Sequence, residues 1–162
     1  MELEEMSDAN EAIVYRQVIE DFCARMNLDD ADAVAQGASI DVDGVQMAIT
    51  LNEVVPQAPA VSIYVDVGLP PRAGEASVLR MLLQQNFNNS TSRGLAYCIS
   101  PASGHVVGVI HVGLGGLEGQ GLEALVNMLV DTSLEFRETY FLWERSAESQ
   151  VRAGGVTPGG MA

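Results

Sequence analysis

The chain contains no lysine: all eight of its basic residues are arginines. Against them stand 22 aspartates and glutamates, for a net charge of -14. A nucleic-acid partner is disfavoured on that balance, because affinity for a phosphate backbone comes largely from Lys and Arg neutralising it. Anionic membranes are disfavoured for the same reason. Cysteine is almost as scarce. Cys23 and Cys98 are far apart and fit no zinc or redox spacing, so they read as two reduced, mostly buried thiols of a cytosolic protein. No apolar run approaches the ~18 residues that would mark a membrane span. The opening stretch MELEEMSDAN lacks the positive start and apolar segment of a signal peptide. Without secretion, the two overlapping sequons in Asn88-Asn89-Ser90-Thr91 carry no meaning.

Apolar residues, by contrast, are plentiful. They make up 48% of the chain, and mean hydropathy is positive, at +0.15, despite a pI near 4.2. Disordered acidic chains are poor in apolar residues, so this one folds. At 162 residues it is expected to be one domain, removing roughly 70% of its unfolded-chain surface from water. An acidic surface around so many apolar side chains implies a very soluble body with more apolar surface than one small core hides. That narrows the function towards binding.

Periodicity sets out the elements. Residues 1–10 are expected to be a flexible N-terminus, and Asp8 to Glu11 has the form of a helix N-cap with an acid at the third position. Tyr15, Val18 or Ile19, Phe22 and Met26 then follow at three- and four-residue steps, a first helix that stops near Asn27 before the acidic run Asp29, Asp30, Asp32. The period changes to two over Ile40 and Val42 and again over Val45, Met47, Ile49 and Leu51, with Asp43-Gly44 between as the tight-turn dipeptide of a hairpin. Pro56 and Pro59 mark a loop before a third strand, Val61 to Val67.

A second helix from Ala73 to Phe87 has a wide apolar surface. Ala76, Leu79, Leu83 and Phe87 form one stripe, with Val78, Met81 and Leu82 beside it. A helix that buries one side needs a stripe of only about 100°, so this one is expected to face the sheet on one side and a further surface on the other. Leu95 to Ile99 and Val106 to Val112 read as a fourth and a fifth strand. A helix through Leu122, Leu125, Val126, Leu129, Ser133, Phe136 and Tyr140 runs to about Trp143. Residues 11–145 are thus one domain of order α-β-β-β-α-β-β-α, in the α+β class: a twisted antiparallel five-stranded sheet packed with three helices. Residues 146–162, with four glycines and no periodicity, are read as a flexible C-terminal tail.

Candidate chemistry is thin. The loop Gly113 to Gly121 satisfies a G-x-G-x-x-A spacing through Gly119, Gly121 and Ala124. It lacks a lysine, carries Glu118 and Glu123 where phosphate would sit, and follows the wrong element order, so it reads as a linker or packing turn. His105 and His111 share a strand face roughly 20 Å apart at ~3.3 Å per residue, too far to hold one metal. Cys98 on the adjacent strand leaves a thiol–histidine pair as an outside reading, with no third orienting residue. The aspartates after the first helix lack the rest of a calcium loop. No enzymatic activity, metal or cofactor is expected.

On these elements the chain resembles the class I type III secretion chaperones, the Tir-chaperone (CesT-like) family. The resemblance covers about Glu11 to Trp143 and is carried by YRQVIEDFCARMNL (Tyr15 to Leu28), IDVDGVQMAITL (Ile40 to Leu51), VSIYVDV (Val61 to Val67) and VLRMLLQQNF (Val78 to Phe87). It implies a bacterial cytoplasmic homodimer joined through the second helix and the neighbouring fourth strand. It also implies that the N-terminal segment of a secreted effector wraps around the dimer, kept secretion-competent and presented to the export apparatus, its ATPase included. For dimerisation the expected residues are Val78, Leu79, Leu82, Leu83 and Phe87. For effector contact they are Val18, Phe22, Met26, Ile40, Val42 and Met47. Two other classes stay open: an acidic dimeric adaptor or regulator unrelated to secretion, and a small enzyme using Cys98 with a histidine.

Overall fold

The computed structural model describes residues 2–52, 59–89 and 94–142. The elements are α1 (Glu2–Met26), α2 (Ala31–Ala35), β1 (Ile40–Val42), β2 (Val45–Asn52), β3 (Ala60–Gly68), α3 (Glu75–Asn89), β4 (Ala96–Ile99), β5 (Val106–Gly113) and α4 (Gly119–Thr139). Pro56 of the proline loop and the expected tail, 146–162, lie outside the described residues. The five strands form one antiparallel sheet in the order β1-β2-β3-β5-β4. The expected α+β fold is the observed one.

Two details differ from the sequence reading. Helix α1 is continuous from Glu2, so Asp8 lies within it and does not cap it. No glycine or proline interrupts the stretch ahead of Asp8, and the helix carries through. There are also four helices among the described residues, where three were expected. The acidic run after α1 contains the extra one. Asn27 leaves α1 at φ 53, and Asp30 turns at φ 60 with its carboxylate accepting the Ala33 N–H at 3.0 Å, which caps the single helical turn of α2. Val34 of that turn is buried.

The hairpin between β1 and β2 forms where the Asp-Gly pair stands. Asp43 (φ 51) and Gly44 (φ 80) take the two left-handed positions of the turn, and Asp41 Oδ1 accepts the Gly44 N–H at 3.0 Å. Strand alternation then sorts the side chains. Val45, Met47 and Ile49 of β2, Val61, Ile63, Val65 and Val67 of β3, and Val106 and Ile110 of β5 are buried on one face. Ile49, Ile63 and Ile110 stand opposite one another across three strands. The other face carries Gln46, Tyr64, His111 and Cys98, all exposed.

Helix α4 packs across β3 and β2 with α1 beside it, α2 lies against β2, and α3 lies against β4. Tyr15, Val18, Ile19, Phe22 and Cys23 of α1 and Leu122, Val126, Leu129, Val130 and Phe136 of α4 complete the core. Full burial of each such side chain stabilises by roughly 1.5–3 kcal/mol. Tyr15 also donates its hydroxyl to Ala35 O and Ile49 O, both at 3.2 Å, joining α1 to α2 and β2. Burial, with a smaller contribution from Cys23, pushes the Tyr15 phenol up to about 12.

The glycine-rich loop resolves into a packing turn. A Cβ at Gly119 would overlap the Asp21 carboxylate and come within 2.7 Å of the Phe22 nitrogen, so the start of α4 is pressed onto the backbone of α1. Arg25 reinforces the crossing, paired with Asp21 at 3.0 Å and reaching Glu123 at 3.7 Å. At the other end of α4, Arg137 donates to Val67 O, Gly44 O and Asp66 O at 2.9–3.0 Å, tying the helix to β3 and to the hairpin turn.

Candidate partner-binding surfaces

Helix α3 divides its apolar residues between two sides. Val78, Met81 and Leu82 are buried in the core of their own protomer, while Leu83 is 67% and Phe87 79% exposed and Leu79 is half-buried. Leu79, Leu83 and Phe87 follow one another at four-residue steps, which places them along one stripe. Beside the stripe, Leu79, Leu82, Leu83, Tyr97, Cys98 and Ile99 line an almost wholly apolar cavity of about 170 Å³, and Ile99 is 44% exposed. The residues expected at the interface thus fall into two groups by burial within the protomer. Val78 and Leu82 point inward because they complete the buried side of α3; Leu79, Leu83 and Phe87 are the ones that face out. Ile99, at the end of β4, is exposed beside them.

The residues expected to touch an effector mostly fill the core. Val18, Phe22, Ile40, Val42 and Met47 are buried and Met26 is half-buried, because the α1 stripe and the inward face of the hairpin both join the one core cluster. From Asn10 on, α1 also leaves Ile13 57% exposed and Val14 half-buried. Val14 and Gln17 share a shallow groove with Val18, Asp21, Leu117, Glu118 and Gly119, an apolar floor with two carboxylates beside it.

The two histidines are engaged by oxygen. His105 Nδ1 lies 2.8 Å from both Asp66 carboxylate oxygens, and His111 Nδ1 lies 2.7 Å from Oγ of the fully buried Ser62. The Cys98 thiol donates to Val107 O at 3.4 Å. These contacts assemble no thiol–imidazole pair. Cys23 is buried, which pushes its thiol pKa up, away from the thiolate that a nucleophile needs. Among the described residues no group of three or more His, Cys, Asp or Glu is placed to hold a metal, and no helix is long and apolar enough to cross a membrane.

The fold has counterparts. The model of the Tir chaperone protein (CesT) family matches residues 17–137, well over half of the chain. The chain belongs to that family. Its members are type III secretion chaperones. Among solved structures, a chain of the HopA1–SchA chaperone–effector complex superposes with a TM-score of 0.60 at 14% identity, over 79% of this chain and 96% of that one. A chain of the ExsC–ExsE complex gives 0.60 at 19% identity, over 78% and 92%. A chain of the complex between the Yersinia pestis type III secretion chaperone SycH and a stable fragment of YscM2 gives 0.53 at 16% identity, over 75% and 98%. At these identities the likeness is one of fold. No curated protein sequence matches the chain.

Proposed function

We propose that this CesT-family chain is a non-enzymatic, homodimeric chaperone of the bacterial cytoplasm that holds N-terminal segments of type III effectors in an export-ready form and hands them to the secretion apparatus, its ATPase included. The observation that carries the proposal is the pairing of an acidic surface with apolar residues left outside the core on two sides of the molecule. Leu79, Leu83 and Phe87 are self-complementary. In an isologous contact with the two-fold axis at Leu83, Leu83 meets its symmetry mate and Phe87 reaches the cavity beside the partner copy's stripe. The second surface, Ile13 with the groove between Val14 and Leu117, suits a different occupant. Its apolar floor and its carboxylates, Asp21 and Glu118, match an effector segment that alternates apolar and basic residues.

Co-expression with the N-terminal segment of a type III effector from the same genome tests the proposal, with complexes sized by light scattering. The expected product is a soluble complex of two 17.2 kDa chains and one segment, weakened at least ~10-fold by Ile13→Asp or Leu117→Asp with the thermal midpoint unchanged. A purified dimer that leaves every such segment insoluble would overturn the effector reading and leave the dimer standing.

A further inference from the structure

Strand β4 ends the sheet, and half of its backbone faces away from β5. Ser100 N–H donates to His105 O, and hydrogen bonding alternates along an antiparallel pair. Ala96 and Cys98 therefore bond inward to β5, while Leu95, Tyr97 and Ile99 turn N–H and C=O outward. Such an edge is a template for another strand. Here it is occupied from α3. Asn86 Oδ1 accepts the Tyr97 N–H at 2.8 Å and Asn86 Nδ2 donates to Tyr97 O at 2.8 Å. One helical turn further on, Asn89 Nδ2 donates to Leu95 O at 3.0 Å. A side-chain amide presents the same donor and acceptor as a peptide unit, so Asn86 stands where a neighbouring strand would stand.

We infer that Asn86, with Asn89, closes the β4 edge against strand addition. Partners at this end of the molecule are then limited to those that fit the side chains of Leu79, Leu83, Phe87 and Ile99, and a chain offering only an extended backbone is refused. Asn86 is a positioning residue: it holds α3 along β4, which keeps the α3 stripe and Tyr97 in one surface. The inference rests on the fold alone and does not depend on the effector reading.

Residue-resolved amide exchange with light scattering tests it on the full chain. In Asn86→Ala, Tyr97 N–H exchanges at least ~10-fold faster while Cys98 N–H, bonded to β5, is unchanged. Particles larger than the wild type then accumulate with concentration. Adding Ile99→Pro, which removes an outward donor without touching the β5 ladder, returns the mass to that of Ile99→Pro alone. Unchanged exchange at Tyr97, or faster exchange with no larger particle, overturns the inference. So does a double variant that stays large, because a merely misfolded helix would not be rescued by proline.

Discussion

Helices α4 and α3 lean on the same sheet and have apolar residues in similar supply, yet they dispose of them in different ways. Along α4, Leu122, Val126, Leu129, Val130 and Phe136 are all buried while Met128 and Leu134 are 45% and 38% exposed, and both ends of the helix are tied down, by Gly119 against α1 and by Arg137 against three carbonyls. Along α3, the buried set is Val78, Met81 and Leu82, and the largest apolar side chain, Phe87, is left 79% exposed. Helix α4 shows what this chain does with apolar residues needed for folding. Measured against it, Leu83 and Phe87 of α3 are more exposed than any large apolar side chain of α4, and they are the surface that the proposed partner contact would cover.

The comparison is broken most severely from the α4 side. Phe136→Ala removes a fully buried ring that stacks edge-on with Tyr140 and Phe141, and the expected loss is about 3–5 kcal/mol by denaturant unfolding. Leu83→Asp, in the outer stripe of α3, is expected to act on association instead. The dimer weakens by about 2–4 kcal/mol, seen as a 17.2 kDa species in light scattering with the urea m-value unchanged. A Leu83→Asp protein as unstable as Phe136→Ala would erase the distinction between the helices. Leu82→Asp does not make this test, because Leu82 is inside the protomer and its loss unfolds the chain. Smallest is Gly119→Ala, where the new methyl meets the Asp21 carboxylate, which can swing aside, and the Phe22 backbone nitrogen, which cannot. About 1–3 kcal/mol is expected, with no change in association.

Much of this was legible in the sequence, for identifiable reasons. Strand periodicity of two placed all five strands, and Asp43-Gly44 placed the hairpin turn because few residue pairs adopt two positive φ angles. The width of the apolar surface on α3 announced a two-sided helix before any contact was known. What the sequence did not reveal depends on three-dimensional neighbours. Helix α2 is five residues long, too short to show a period, and its start rests on a left-handed Asp30. Phe22, Ile40 and Met47 looked as available to a partner as Ile13 does, since apolar character alone does not say which side of a helix or strand the rest of the chain covers. Asn86 was invisible for another reason: its role exists only where α3 runs beside Tyr97.

Cys98 has a practical consequence. It is exposed and lines the α3 cavity, whereas Cys23 is 2% exposed within the core. A thiol-reactive dye therefore enters the native molecule at one position, without mutagenesis, and that residue borders the surface proposed for a second copy. The chain carries its own optical reporter for the event that is hardest to see in a small acidic protein: the moment its apolar side stops being wet.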